Sequence, residues 1–408
     1  MNIFILLAAA LLLILYLLRK HIQIGPCMLA GGLLIWAVRS MQPAELLQTF
    51  TETMSLSRTY DIVFALYFVM GLEIELRKSG ALSGMVHALQ HLFSSTKFLL
   101  AVMPAFLGLL PSLGGARFSA PIVEELAKGL DITAERKSAI NFWFRHIFEF
   151  SSPIIPGMIM ACNIAGVPFS AFLKHLSWVT ILAFLTGYFV MVRSVRTEEE
   201  LLPEETAEEK QQEKTDLLLS LAPVVTTFLL VVLCDFNASW GLGLVTFLMF
   251  FVLRFMGRGV DWREILFGAF DRKMLVNVLC ILCFIQLLTV TNVLTEIVYA
   301  FQNSALPVPV IIACVSLLIG ILTGLSQGHV AIVMPIVAAM GTGNLDLAGI
   351  AMAFGVAGQM LTPTHMCLIV TIDYFKSGLF GTLKPILLCE IILLTVFSIY
   401  TYLTWSAV

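Results

Sequence analysis

An apolar segment in the first half of the chain is interrupted by small and polar residues and reads Ser112-Leu113-Gly114-Gly115-Ala116-Arg117-Phe118-Ser119-Ala120-Pro121-Ile122-Val123. A segment in the second half agrees with it at five of twelve positions and reads Ser326-Gln327-Gly328-His329-Val330-Ala331-Ile332-Val333-Met334-Pro335-Ile336-Val337. These interruptions divide the apolar stretches 96–129 and 306–340 into halves that are too short to cross a bilayer, which takes about 20 apolar residues. We therefore predict one re-entrant hairpin in each half of the chain.

The composition around these segments is that of a membrane protein. Hydrophobic residues make up 59% of the 408 residues and charged residues only 12%, whereas soluble domains carry about 25% charged residues. The apolar runs are continuous, unlike the alternating strands of a membrane β-barrel. A net charge of −3 without a basic stripe excludes a nucleic-acid partner. We predict an all-α polytopic protein whose principal partner is the lipid bilayer.

Ten continuous apolar runs predict ten membrane spans. They cover residues 2–18, 24–38, 59–76, 138–162, 168–192, 217–235, 238–256, 274–295, 347–372 and 379–403. If the N-terminus is outside and neither hairpin crosses, nineteen Lys and Arg residues fall on the inner side and three on the outer side. Because Lys and Arg are in excess in cytoplasmic loops, we predict a multi-pass protein of the inner (cytoplasmic) membrane with both termini outside.

The Glu-rich segment 193–216 divides the chain into residues 1–192 and 217–408. We predict that it is a cytoplasmic acidic linker. Each half holds three spans, one hairpin and two further spans, so each half crosses the membrane five times. Since five is odd, the second half is inverted relative to the first, which is the architecture of many secondary transporters.

A second interruption occurs in the span that follows each hairpin. The first reads Glu149-Phe150-Ser151-Ser152-Pro153-Ile154-Ile155-Pro156, and the second reads Gln359-Met360-Leu361-Thr362-Pro363-Thr364-His365. Proline removes an amide donor and frees a carbonyl one turn back, and such groups are costly in hydrocarbon unless they bind something. We expect the two hairpin tips and the two breaks to meet near the midplane, where helix N-termini favour an anion and free carbonyls a cation.

Charged groups near the breaks suggest roles within this site. Arg117 has no acid on its own segment before Glu124, so a bound anion is its expected partner. Arg145 and Glu149 are four residues apart, and an ion pair between them is the alternative to a role in transport. No HExxH or GxSxG motif is present, which argues against an intramembrane enzyme.

The predicted site comprises three groups of residues. Those predicted to bind substrate are Ser112, Gly114, Gly115, Arg117, Ser151, Ser152, Ser326, Gln327, Gly328, His329, Thr362, Thr364 and His365. Those predicted to couple transport or form a charge pair are Arg145, His146 and Glu149. The prolines predicted to break helices are Pro121, Pro153, Pro335 and Pro363. We predict no metal site and no cofactor other than a coupling ion, H⁺ or Na⁺.

The repeat and its broken spans resemble the ion transporter superfamily, which includes divalent anion, citrate and gluconate carriers. The strings Asn141-Phe142-Trp143-Phe144-Arg145-His146-Ile147-Phe148-Glu149 and Leu361-Thr362-Pro363-Thr364-His365-Met366-Cys367-Leu368 are similar to an uncharacterised integral membrane protein family within it. The resemblance implies an elevator-type carrier that is usually a homodimer. The dicarboxylate symporters carry Ser-Asn-Thr at both hairpin tips, whereas this chain has Ser112-Leu113-Gly114 and Ser326-Gln327-Gly328.

These observations predict a secondary active transporter of a small carboxylate-like organic anion. We expect coupling to a cation, with protons slightly favoured over sodium because the Ser-Asn-Thr tips are missing. The alternative is a channel, or the membrane subunit of a larger transport complex that needs a soluble partner.

Overall fold

The computed structural model describes residues 3–93, 95–109, 116–195 and 207–405. Within these residues the chain forms twenty α-helices and no strand. The first ten are α1 (Ile3–Arg19), α2 (Ile24–Arg39), α3 (Pro43–Ser55), α4 (Ser57–Lys78), α5 (Ala81–Leu92), α6 (Thr96–Leu109), α7 (Ala116–Leu126), α8 (Ala134–His146), α9 (Pro156–Ala165) and α10 (Phe169–Gly187). The second ten are α11 (Ala207–Leu233), α12 (Ala238–Phe255), α13 (Trp262–Ala269), α14 (Arg272–Val290), α15 (Val293–Gln302), α16 (Val308–Thr323), α17 (Ser326–Met340), α18 (Leu345–Met360), α19 (Met366–Phe375) and α20 (Leu379–Thr404).

The two sets of ten helices follow the same order. In each set, a pair of helices flanks a predicted hairpin tip, α6 and α7 in the first and α16 and α17 in the second. The next helix, α8 or α18, ends at an interruption and is followed by a helix of ten residues, α9 or α19. A 3₁₀ turn (Ile147–Phe150) extends α8, and a π turn (Tyr188–Val192) extends α10.

Five helical segments are long and apolar enough to cross a membrane, which supports a multi-pass membrane protein. They are Phe169–Val192, Gln211–Leu233, Ala238–Phe255, Trp262–Val290 and Leu379–Thr404. Several further apolar helices are shorter, among them α1, α2, α6 and α16. The full count of ten spans stays a prediction.

The first of two compact units consists of Met1–Phe64, Ile159–Pro168 and Phe270–Thr362. In this unit α14 packs against α2 and α3, and α16, α17 and α18 pack on one another. Every residue of α18 from Leu347 to Met360 is buried except Phe354, so α18 is the core helix of this unit.

The second compact unit consists of Ala65–Met158, Phe169–Ala269 and Pro363–Val408. Here α8 is the core helix, because every residue from Ser138 to His146 is buried. It packs against α6, α7, α19 and α20, while α5 packs along α11. Both units therefore combine helices from residues 1–192 with helices from residues 217–408.

Glycine allows equivalent helices of the two units to pack at backbone contact. A Cβ atom on Gly108 of α6 would lie 2.0 Å from the carbonyl oxygen of Arg145 on α8. A Cβ atom on Gly320 of α16 would lie 2.3 Å from the carbonyl oxygen of Gly355 on α18. Only a residue without a side chain permits either approach.

Two local features differ from the sequence-based expectations. Pro121 and Pro335 lie inside α7 and α17, and both helices continue across them. A single proline removes one amide donor, and the packing of the neighbouring helices compensates for it. Of the acidic linker 193–216, residues 196–206 lie outside the described residues, and α11 begins at Ala207.

Candidate functional site

The first helix break lies in the second unit, where α8 gives way to a 3₁₀ turn and then to extended chain. Ser151 ends this turn, and Pro153 and Pro156 have no amide hydrogen to continue a helix. The Ser151 hydroxyl lies 2.7 Å from the Thr180 hydroxyl of α10. The Ser152 hydroxyl accepts a hydrogen bond from the amide of Ile154 at 3.4 Å. Ser151 is therefore held by a contact with α10, and Ser152 by a contact within the break.

The second break separates α18 from α19 and spans Leu361–His365. Thr362 is buried, Pro363 and Thr364 are exposed, and His365 is 5% exposed at the start of α19. Pro363 thus lies between two helices, as Pro153 does in the first break.

A row of polar contacts, which we call the polar seam, joins α8 to α19 and the start of α20. At its surface end, Glu135 accepts a hydrogen bond from the amide of Gly378, and Ser138 bonds to Ser377. Further in, Asn141 donates a hydrogen bond to Thr371, and Arg145 bonds to Cys367. At the inner end, the ring of His146 contacts the ring of His365. The first four α8 members are spaced by three, three and four residues, which places them along one face of the helix, and His146 directly follows the last of them. The seam therefore leads from the N-terminus of α8 to both breaks.

At the inner end of the seam, His146 and His365 face each other edge to face. Their ring centroids are 4.8 Å apart and their planes are inclined by 86°. Nδ1 of His146 lies 2.7 Å from the carbonyl oxygen of Phe142. Because a carbonyl oxygen only accepts, Nδ1 carries the hydrogen in the neutral ring and Nε2 keeps its lone pair.

Two charged residues, Arg145 and Glu149, lie near the thiol of Cys367. Arg145 is buried and donates to the carbonyl of Leu107 at 3.4 Å as well as bonding to Cys367. The carboxylate of Glu149, also buried, lies within electrostatic range of the same thiol. The structure thus brings Arg145, His146, Glu149 and His365 together. An ion pair between Arg145 and Glu149 stays a prediction.

The residues of the second hairpin tip belong to the first unit. Ser326, Gln327 and Gly328 form the first turn of α17, directly after Gly324, whose φ of 64° ends α16. His329 is completely buried, and neither ring nitrogen has a hydrogen-bond partner among the described residues. Its ring packs on Gly355 of α18, where a Cβ atom would lie 2.1 Å from the imidazole.

Part of the first hairpin tip is outside the described residues. This applies to Ser112, Gly114 and Gly115 and to the side chain of Arg117, whose backbone belongs to the first turn of α7. Their roles stay predictions.

Sequence reasoning did not assign a role to Cys367, Asn141 or Thr371, all of which belong to the seam. Asn141 could have been suspected, because an amide side chain in an apolar span needs a partner. No signal in the sequence connects Cys367 with His146, which lies 221 positions earlier.

Comparison with solved structures identifies a similar fold. The crystal structure of the Alcanivorax borkumensis YdaH transporter, reported to have an unusual topology, matches with a TM-score of 0.57 and 12% sequence identity. The match covers 87% of this chain and 86% of that one. At this identity the similarity is one of fold. No curated protein matches the chain.

Comparison with protein families gives a match over nearly the whole length. It runs from residue 3 to residue 404, to the family described as "Protein of unknown function (DUF401)". The chain is therefore a member of the DUF401 family, and the site described above belongs to a multi-pass helical protein with a transporter-like fold.

Proposed function

We propose that the protein is a secondary active transporter of a small, carboxylate-like organic anion. The observation that carries this proposal is a contact within the second unit between α8, which ends at the first break, and the start of α19, which follows the second break. Residues from α8 and from the start of α19 contact each other at His146 and His365. Interrupted helices inside a membrane supply free backbone groups for a substrate. The transporter fold of the structural neighbour agrees with this reading.

Positive charge near the breaks favours an anionic substrate. A guanidinium is costly within a membrane and is usually functional there. Arg145 already bonds to Leu107 and Cys367, so we assign the direct contact with the anion to Arg117, aided by amide groups at the hairpin tip. At the second hairpin tip, the ring of His329 has no hydrogen-bond partner among the described residues, which is consistent with ligand binding at that tip.

The coupling ion is proposed to be a proton, although sodium is the alternative. We assign the proton to the carboxylate of Glu149, which is buried and lies within electrostatic range of Cys367. Such a group can bind one proton with the substrate and release it on the other side of the membrane.

For the whole protein we propose two inverted five-span repeats of the ion transporter superfamily, an elevator mechanism and a homodimer in the inner membrane. The support is the matching order of α1–α10 and α11–α20. The equivalent contacts of Gly108 with Arg145 and of Gly320 with Gly355 add to it. In each unit, helices from one half also pack with helices from the other, as α5 does with α11 and α1 with α15.

Counterflow in proteoliposomes tests the function. Vesicles loaded with unlabelled mono-, di- or tricarboxylates should accumulate the same labelled compound transiently, because a carrier exchanges substrate without a driving gradient. A channel would only equilibrate the label, and no exchange with any carboxylate would contradict the proposal. A thermal-shift screen with and without sodium would select the compounds.

Substitution of Arg117 tests the site. Arg117→Lys keeps the charge but loses the planar fork, and loss of a charged hydrogen bond costs about 1.5–3 kcal/mol. We expect roughly tenfold to hundredfold weaker binding in a folded protein. Arg272→Lys, at an exposed position of α14, is the matched control. Uptake by Arg117→Lys at wild-type affinity would remove Arg117 from the site.

Substitution of Glu149 tests the coupling. If its carboxylate carries the proton, Glu149→Gln should retain counterflow but should no longer accumulate substrate in response to an imposed proton gradient. Uptake by this variant that still follows the gradient would leave Glu149 with a structural role.

A further inference from the structure

We propose that His146, His365 and Cys367 form a binding site for a zinc ion. Each side chain offers one ligand atom, and these three atoms all lie within 4.8 Å of one another. All three residues belong to the second unit, His146 at the end of α8 and the other two at the start of α19. The sequence alone predicts no metal site.

The distances suit a four-coordinate ion after a small closure. Zinc binds nitrogen at about 2.0–2.1 Å and sulfur at about 2.3 Å. In a tetrahedron of that size the ligand atoms are about 3.3–3.8 Å apart. The ligand atoms therefore need to approach by about 1 Å, which movement of the His365 ring and the Cys367 thiol toward His146 provides.

The orientation of His146 is that of a metal ligand. Histidines that bind metal usually donate their second N–H group to a carbonyl or carboxylate, which fixes the ring. Nδ1 of His146 does this with the Phe142 carbonyl at 2.7 Å. Nε2 is left with its lone pair. The Phe142 ring also packs on both imidazoles, with centroid distances of 4.7 and 5.0 Å, and shields the cluster.

The surrounding charges complement a thiolate-bound cation. Zinc binds the thiolate form of cysteine, which burial of Cys367 disfavours and the neighbouring Arg145 guanidinium favours. The Glu149 carboxylate lies near the same thiol and balances the charge of a divalent ion. The net charge of the cluster, counted over Arg145, Glu149, the thiolate and zinc, is about +1. This is less than the charge of a divalent ion without these neighbours.

The ligand set selects the kind of metal. Two imidazoles and a thiolate suit a borderline-soft ion and disfavour magnesium or calcium, which prefer oxygen. Three protein ligands also leave a fourth position open, as in zinc sites that exchange a water or another oxygen ligand. The proposal stands on this geometry and does not depend on anion transport.

Zinc binding is measured on the full chain, purified in detergent without a histidine tag and stripped of metal. Competition with a chromophoric chelator should give one zinc ion per chain. Cobalt in place of zinc should show thiolate-to-metal charge-transfer absorption. Cys367→Ser should abolish that absorption and weaken zinc binding by roughly a hundredfold or more, since even a lost second-shell contact costs about 10–100-fold. Cys314→Ser, at an exposed cysteine of α16, is the matched control and should bind as the wild type does.

A second measurement needs no variant and so does not depend on how the variants fold. Zinc should slow alkylation of Cys367 by N-ethylmaleimide in the unaltered protein and leave Cys314 unaffected, as read by mass spectrometry. Equal alkylation with and without zinc, or wild-type zinc affinity in Cys367→Ser, would overturn the proposal. Neither readout involves transport, so a failed counterflow experiment leaves the zinc site standing and a failed zinc titration leaves the carrier standing.

Discussion

Glu135 shows how a single residue marks the surface end of the polar seam. It lies in the first turn of α8, outside the predicted span 138–162. Its own backbone amide and that of Gly378 donate to its carboxylate and lower its pKa below the ordinary value of 4.5. A carboxylate near a helix N-terminus also gains from the helix dipole. The ionised form of Glu135 therefore favours the folded state.

The sign of this shift predicts a pH dependence of stability. Because the folded pKa is lowered, the contribution of Glu135 is complete above pH 4.5 and is lost as the pH falls through the lowered folded value. Thermal unfolding of the wild type and of Glu135→Gln should differ at about pH 7 and converge toward about pH 3. Glu125→Gln is the matched control, because it also removes one carboxylate, in this case one that pairs with Lys128 at the surface. An equal difference at both pH values would contradict this role.

For some residues of the predicted membrane spans the sequence suggests a functional role, and for others it does not. Arg145, His146 and His365 could be chosen from sequence because charged and imidazole groups are rare in apolar spans. Cys367 could not, because a cysteine in such a span is ordinarily a small buried hydrophobe. Only its contact with Arg145 and its proximity to both histidines distinguish it from the other seven cysteines.

At the scale of elements, α8 holds the second unit together. It contacts α6 through backbone, α19 through polar side chains and α20 through its N-terminal turn. Local chemistry sets its ends. Thr133 accepts from the amide of Arg136 at its start, and Pro153 prevents its continuation beyond the 3₁₀ turn. Both ends could be expected from sequence, whereas its partners could not.

The contact between α6 and α8 predicts an effect of a single methyl group. Alanine normally favours a helix over glycine by about 0.5–1 kcal/mol, but the Cβ of Gly108→Ala would lie 2.0 Å from a backbone carbonyl oxygen. Because backbone cannot rotate away, we expect the variant to be destabilised by about 1–3 kcal/mol. Unfolding in mixed detergent micelles would measure it.

The control for this variant is Gly341→Ala. Gly341 has a φ of 176°, which any residue adopts, and a Cβ there would meet its nearest neighbour at 3.9 Å. We expect a change within about 0.5 kcal/mol. If Gly108→Ala is as stable as Gly341→Ala, the close packing of α6 on α8 is contradicted.

At the scale of the whole molecule, helices from the two halves are distributed over both compact units. The first unit takes α1, α2 and α3 together with α14 to α18, and the second takes α5 to α8 together with α11 to α13. Each unit is therefore built from both halves of the chain. Because each unit contains helices from both halves, neither half is expected to fold alone.

The predicted orientation of the chain is tested by cysteine labelling in intact cells. Cys234 and Cys314 are exposed and would first be replaced by serine. Glu200→Cys lies in the acidic linker and should not react with a membrane-impermeant maleimide added outside, because the excess of Lys and Arg predicts that the linker is cytoplasmic. Ser304→Cys, predicted to be outside, should react. Outside labelling at position 200 would refute the orientation.

The sequence by itself determined the class of protein and two of the four predicted helix breaks. The apolar composition requires helices that satisfy their own backbone groups in lipid. The breaks at Pro153 and Pro363 follow from the missing amide hydrogen of proline, whereas Pro121 and Pro335 lie inside helices that continue. These are local properties of the chain, and they could be read without knowing any neighbour.

Tertiary structure alone decided which polar residues meet. His146 and His365 are 219 positions apart and come from different halves of the chain, yet their rings are in contact. The periodicity of a helix shows which face is buried but not which helix covers it. That choice depends on the fit of whole helix surfaces, such as the close approach of Gly108 to Arg145, and this fit exists only once the helices have packed.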